Sequence, residues 1–208
     1  MDRKIKIAVL VSGGGTNLQA LIDAEKSGII RSGRLSLVVS NNANAYALER
    51  AKAAGIPSRV LLKRDYESQA AFEEALIGVL RESGIEFIVL AGFMSILGKR
   101  FTDEFAGRII NVHPALIPSF CGKGYYGLRV HEEALKKGVK VTGATVHFVN
   151  EIADGGEIIM QKAVRVLKGD TPETLQKRVM RQAEWIILPR ATESVCKKLL
   201  KEKGERKK

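Results

Sequence analysis

In the run Ile109-Ile110-Asn111-Val112-His113-Pro114, an amide and an imidazole stand two residues apart at the end of an otherwise apolar segment. In a strand, side chains alternate faces, so Asn111 and His113 point the same way, about 6.5–7 Å apart along the backbone. One carbonyl group could touch both. Pro114 has no N–H for a ladder and biases His113 toward an extended backbone, which stops the strand where the polar pair emerges. The same pattern also fits an edge strand carrying two solvated polar residues.

Two further segments have chemistry to offer. Ser12-Gly13-Gly14-Gly15-Thr16-Asn17 follows an apolar run and opens a helical one. Its glycines allow close approach of the backbone, and a helix start offers unpaired N–H groups to a phosphate or carboxylate. Leu18 breaks a dinucleotide fingerprint, and the Gly-Lys-Ser/Thr ending of a nucleotide-triphosphate loop is absent. A plain strand-to-helix turn capped by Thr16 is the alternative. In Asn150-Glu151-Ile152-Ala153-Asp154-Gly155-Gly156, a carboxylate precedes two glycines. Alone this is ordinary turn chemistry. Beside His113, Asp154 would raise the imidazole pKa by stabilising its protonated form, giving an acid usable near neutrality.

The elements that must position these groups alternate in type. Ile5–Val11, Arg34–Ser40, Arg59–Leu62 and Phe87–Leu90 read as strands, with amphipathic helices between them. Leu18, Leu21 and Ile22 mark the first buried stripe, and Ala47, Leu48 and Ala51 the second, which Gly55-Ile56-Pro57 ends. A third helix is expected from about Tyr66 to Glu82, with Phe72, Leu76, Val79 and Leu80 inward. Strands apolar on both faces imply a parallel sheet covered by helices. Val141–Val149 and Glu157–Val166 suggest two more strands around a loop, and a last helix begins near Thr171-Pro172. Pro189 should kink or interrupt that helix. The expected fold is therefore α/β, an open, doubly wound, mostly parallel sheet with a Rossmann-like N-terminal half. Ligands of such sheets bind beyond the carboxyl ends of the strands, where all three motifs fall.

Composition narrows the classes. A chain of 208 residues, 45% hydrophobic and 27% charged, suits one enzyme-sized domain and excludes a disordered polymer. We expect one catalytic domain over 1–196 and a frayed basic tail over 197–208. That tail holds seven Lys or Arg and two Glu, so it carries much of the +11 net charge. Aromatic residues are missing from it, which argues against RNA-type stacking. The N-terminal apolar run is too short for a secretory signal, and no run is long enough to span a membrane. Cys121 and Cys196 lack ligand or disulfide spacing and read as free thiols, so a cytoplasmic protein is expected.

Taken in order, the Ser12–Asn17 loop, Ala91-Gly92-Phe93-Met94, Asn111-Val112-His113-Pro114 with Leu116-Ile117-Pro118, and His147-Phe148-Val149 followed by Asp154-Gly155-Gly156 resemble the phosphoribosylglycinamide formyltransferases. The likeness runs from the first strand to the last helix. It implies a formyltransferase-type fold and transfer of a formyl group from 10-formyltetrahydrofolate to the amine of glycinamide ribonucleotide, in purine synthesis, without a metal. It assigns catalysis to Asn111, His113 and Asp154, and the nucleotide to Gly15, Thr16 and Asn17, with Glu184 on the ribose hydroxyls. The folate pocket would be walled by Met94, Ser95, Ile96 and Leu97 and by Asn111, Asn150, Glu151, Ile152, Ala153 and Asp154.

Ser95, and the position near Gln69, lack the arginines that many members use for the folate glutamate tail, so Gln69 is the remaining candidate there. The segment 119–127 is longer than the turn of other members and reads as a flap near the nucleotide, with Lys123 a candidate phosphate contact, or as a glycine-rich surface loop. His131 is expected to start a helix and His147 to lie on a strand, neither as a catalyst. The expected partners are the two small substrates, with no nucleic acid and no membrane, in a monomer or homodimer. Rivals are a formyltetrahydrofolate hydrolase, which would carry a preceding regulatory module, and a methionyl-tRNA formyltransferase, which would carry a following RNA-binding domain. A third rival is a basic nucleotide- or RNA-binding module with no catalysis, for which His113 would be dispensable and affinity for polyanions strongly salt-dependent.

Overall fold

The computed structural model describes residues 3–205. A seven-stranded sheet forms its centre, in the order β3-β2-β1-β4-β5-β6-β7. The strands are β1 Ile5–Val11, β2 Gly33–Ser40, β3 Ser58–Val60, β4 Phe87–Leu90, β5 Ile109–His113, β6 Val141–Phe148 and β7 Ile158–Arg165. The first five pair in parallel, whereas β6 runs antiparallel to both β5 and β7. This is the doubly wound, mostly parallel α/β architecture read from the sequence.

Side-chain alternation along β1 shows why helices must cover both faces. Ile5, Ile7, Val9 and Val11 pack into one core with α1 Thr16–Lys26, α2 Tyr46–Ala53 and the C-terminal helices. Ala8 and Leu10 turn to the opposite core, against α3 Gln69–Glu82 and α4 Lys99–Glu104. All six side chains are fully buried. Burial of this kind stabilises by about 1.5–3 kcal/mol for each large aliphatic side chain. The chain first moves from β1 outward to β3 and then returns to β4 on the other side of β1. Strand order reverses between β1 and β4, and the loops leaving those two strands open the crevice that such a switch point creates.

Several element boundaries differ from those expected. The strand expected over Arg59–Leu62 is Ser58–Val60, and Lys63–Asp65 forms a 3-10 turn. α3 starts at Gln69, not Tyr66, because Ser68 caps it by accepting from the Ala71 N–H at 3.1 Å. Gly15, not Thr16, stands at the cap of α1. β5 lies inside the sheet between β4 and β6, so Asn111 and His113 are not solvated residues of an edge strand. His131 sits within α5 Leu128–Lys137 and does not start it.

At the C-terminus, α6 Pro172–Val179 passes into a π-helical turn, Met180–Glu184, and then into α7 Trp185–Glu205. α7 continues through Pro189; the helical irregularity lies at the π turn upstream. Nor is the basic segment a frayed tail as far as it is described. It completes α7, with Leu199 buried and the Lys203 ammonium paired to Glu86. Residues 206–208 of that expected tail lie outside the described residues. No helix among the described residues is long and apolar enough to cross a membrane.

Candidate active site

A cleft of about 910 Å³ opens at the carboxyl ends of β1, β4 and β5. Its first wall is the loop after β1. Gly15 has φ +69, and a Cβ there would sit 2.6 Å from the Ala47 Cβ, so this close seat on α2 requires glycine. Arg50 of α2 donates from Nε to the Gly14 carbonyl at 2.9 Å, and the Ala47 N–H reaches the Gly13 carbonyl at 3.1 Å. The loop is thereby fixed before any ligand arrives. Ser12 Oγ accepts from the Met94 N–H at 2.8 Å, which ties it to the segment after β4.

The second wall carries the polar cluster. Antiparallel register sets Asn111 opposite His147 and His113 opposite Thr145. Asn111 Nδ2 lies 3.3 Å from His147 Nε2, and the Nδ1–H of His147 donates to its neighbouring Phe148 carbonyl at 2.7 Å. The loop after β6 then returns Asp154, in a left-handed turn with φ 55, to both imidazoles. Its carboxylate is 3.5 Å from His113 Nδ1 and 3.5 Å from His147 Nε2. Gly156 must be glycine here, because a Cβ would run into the Phe148 carbonyl.

Electrostatics follow from burial. Burial pushes the His113 pKa below its usual value, outweighing the upward pull of Asp154 and of the Phe120 carbonyl. The sequence-based expectation of a raised His113 is therefore corrected: the carboxylate does pull upward, but desolvation of a ring only 4% exposed is larger. For Asp154, burial pulls upward but is overcome by His147, His113 and the Gly122 N–H, which hold it ionised below its usual range. His131, fully buried on α5, is pushed down to about 4 by burial and then by the nearby His113. Neither of its ring nitrogens has a hydrogen-bond partner among the described residues.

The segment after Pro118 lies directly over this cluster. His113 Nε2–H donates to the Phe120 carbonyl at 2.8 Å, and the Gly122 N–H donates to Asp154 Oδ2 at 2.8 Å. Lys123, Tyr125 and Tyr126 line the cleft beyond. Thr145 anchors the start of the segment by donating to the Ala115 carbonyl at 2.7 Å and accepting from the Ile117 N–H at 3.1 Å. On the far side, Glu184 projects from the π turn and accepts from Asn17 Nδ2 at 2.7 Å.

The chain that folds this cleft is similar to known proteins. The sequence pattern described as formyl transferase fits residues 5–192. The chain belongs to the formyl transferase family. A phosphoribosylglycinamide formyltransferase of Haemophilus influenzae is 44% identical over 184 residues, which are 88% of this chain and 84% of that protein. The human trifunctional purine biosynthetic protein adenosine-3 is 45% identical over 194 residues, 93% of this chain. The chain spans only 18% of the length of that relative. Among solved structures, glycinamide ribonucleotide transformylase 1 from Symbiobacterium toebii superposes with a TM-score of 0.87 at 42% identity, over 93% of this chain and 88% of that one.

Within this formyl transferase, the cleft gathers Gly15, Thr16, Asn17, Met94, Ser95, Ile96, Asn111, His113, Ala153, Asp154 and Glu184. Five other expected folate residues are not on its walls. Leu97 turns into the core beside Phe101, because its apolar side chain is better buried there. Both hydrogen bonds from the Gln69 amide go inward, to Glu73 at 2.6 Å and the Ile96 carbonyl at 3.0 Å, leaving no N–H for a glutamate tail. Asn150 closes its own turn by accepting from the Ile152 N–H at 3.0 Å. Glu151 points out toward Lys99 at 3.7 Å, and Ile152 is 64% exposed. Conversely, His147 enters the cluster although its sequence position gave it no part. The signal that could have found it is its strand parity, which sets it on the same face of β6 as Thr145. Among the described residues, no group of three or more His, Cys, Asp or Glu is arranged to hold a metal ion.

Proposed function

We propose that this formyl transferase moves the formyl group of 10-formyltetrahydrofolate onto the primary amine of glycinamide ribonucleotide, the purine-synthesis reaction named by its relatives. The observation that carries the reading is the convergence of Asn111, His113 and Asp154 on one cleft, opposite an anion loop. The phosphate of the amine substrate docks on Gly15-Thr16-Asn17, where α1 begins and its N–H groups are free to bind an anion. Glu184 lies within reach of the attached ribose. The folate enters between Met94-Ser95-Ile96 and Ala153-Asp154.

As the amine attacks the formyl carbon, the formyl oxygen gains negative charge. Asn111 Nδ2 and His113 Nε2–H donate to it, stabilising the charge as it develops. The Phe120 carbonyl now holds the His113 donor, and the formyl oxygen is an acceptor of the same kind, so the exchange is like for like. Charge on that oxygen also favours the imidazolium, against the burial that depresses His113 in the empty cleft. Asp154 stabilises the imidazolium through Nδ1 and takes part in removing the proton of the attacking amine, directly or through water. His147 keeps Asn111 and Asp154 at a fixed separation. Collapse of the tetrahedral adduct then breaks the bond from the formyl carbon to the folate nitrogen, which takes up the proton lost by the amine and leaves as tetrahydrofolate. Residues of the chain suffice for these steps.

Purified protein supplied with 10-formyltetrahydrofolate should release tetrahydrofolate only when glycinamide ribonucleotide is present. Release at the same rate without the amine would mean that water is the acceptor and would overturn the transferase reading.

A further inference from the structure

A second cavity, of about 540 Å³, runs between α1 and α7. Small-molecule sites commonly span about 300–1,000 Å³, so this groove has room for a ligand. Thr16, Gln19, Ala20, Asp23 and Ala24 form one wall, because residues three and four apart share a helix face. Trp185, Ile186 and Pro189 of α7 form the other. Ala20, Ala24, Ile186 and Pro189 make the lining between these walls largely apolar, and the half-exposed Ile29 extends it at one end.

Charge on this groove is unbalanced. Arg50 and Arg190 both border it, against the single carboxylate of Asp23. Asp23 already accepts from Gln19 Nε2 at 2.9 Å. Arg50 commits Nε to the Gly14 carbonyl and Nη1 to Gln19 Oε1 at 3.0 Å, which leaves Nη2 without a partner among the described residues. Arg190 is exposed and makes no hydrogen bond or ion pair among those residues. An indole stacks on flat rings, and a guanidinium both stacks on them and pairs with acid groups. We propose that the groove between α1 and α7 is a binding site for a planar aromatic anion, with the ring beside Trp185 and the acid group on Arg190 and Arg50.

This groove is distinct from the cleft where the reacting groups meet. Asn111, His113 and Asp154 do not border it, and Thr16 alone borders both. Its occupation therefore requires no formyl transfer.

Anilinonaphthalene sulfonate has such a ring system and acid group, and phenylnaphthylamine is the same ring system without the charge. Trp185, the only tryptophan of the chain, lies in the groove wall and reports on either probe by energy transfer. Titrated into the full chain, the sulfonate should quench Trp185 emission saturably, and the uncharged probe should bind about tenfold more weakly. Added salt should weaken only the sulfonate. Ala20→Phe fills the groove and should remove this binding, whereas Arg190→Glu, a surface change that leaves the fold intact by circular dichroism, should weaken it about tenfold or more. Saturating ribose 5-phosphate, the phosphate-bearing part of the nucleotide substrate, should leave the sulfonate in place. Absence of sulfonate binding, equal affinity for the two probes, displacement by ribose 5-phosphate, or undiminished binding in Arg190→Glu would each overturn the proposal. So would a dimer in sedimentation that Arg190→Glu dissociates, since the groove would then hold a second copy of the chain.

Discussion

His113 and Asp154 are an unequal pair: one is held neutral by burial, the other ionised by its donors. Asp154→Asn keeps the hydrogen-bonding shape but removes the charge that favours an imidazolium, so turnover should fall by about 100-fold or more, by analogy with the loss of one oxyanion-stabilising group. A pH–rate profile for that variant should also shift its His113 limb to lower pH, because the upward pull of the carboxylate is gone. An unchanged rate and profile would remove Asp154 from the mechanism. His147→Leu should lower kcat without altering the affinity for ribose 5-phosphate, since it touches Asn111 and Asp154 but not the anion loop. Equal losses in both would show that His147 serves the whole cleft. Glu184 also carries a stability signature. Its folded pKa of about 7 lies above the ordinary 4.5, so the folded chain holds this proton more tightly than the unfolded one. The associated stability is complete below about 4.5 and is lost as pH rises through about 7. Thermal melts of Glu184→Gln should therefore gain on the unsubstituted protein over that window, and parallel melts would contradict the raised pKa.

At the scale of elements, the strand β6 does more than extend the sheet. It supplies His147 to the cluster and Thr145 to the turn after His113, where the Thr145 hydroxyl also accepts from Gln161 at 3.0 Å. Thr145→Val removes one buried donor and acceptor together, so unfolding experiments in denaturant should show a loss of about 1–3 kcal/mol. β1 and β4 were legible residue for residue because they are apolar on both faces and end at glycine or serine turns. The partnership of β5 with β6 was not legible, since antiparallel register depends on a crossover through α5 that composition does not specify. That is why Asn111 and His113 could be singled out as a pair and His147 could not. The short helix α4, six residues without a repeating apolar stripe, left no periodic signal and is held by Phe101 in the core. Likewise, the basic segment after Cys196 read as a tail by its charge, yet Leu199 and Lys203 dock it. Truncation after Cys196 should cost about 2–3 kcal/mol of stability for the lost leucine burial. Turnover per folded molecule should stay nearly intact, because α7 beyond that point is remote from the cleft.

For the whole molecule, the sheet order explains why distant sequence motifs meet. Reversal between β1 and β4 opens the crevice, β5 delivers the amide and imidazole beside it, and the antiparallel return through β6 swings the carboxylate loop back over them. In the proposed function, the Gly15-Thr16-Asn17 loop and the Asn111, His113 and Asp154 cluster, which line one cleft, hold the phosphate and the reacting groups respectively. The measurement that tests this most directly follows the formyl carbon itself. With an isotope-labelled formyl group on 10-formyltetrahydrofolate and excess glycinamide ribonucleotide, nuclear magnetic resonance should find the label in an N-formyl amide of the ribonucleotide, and His113→Ala should abolish its appearance. Label recovered as free formate, or its transfer at an undiminished rate by His113→Ala, would contradict the account.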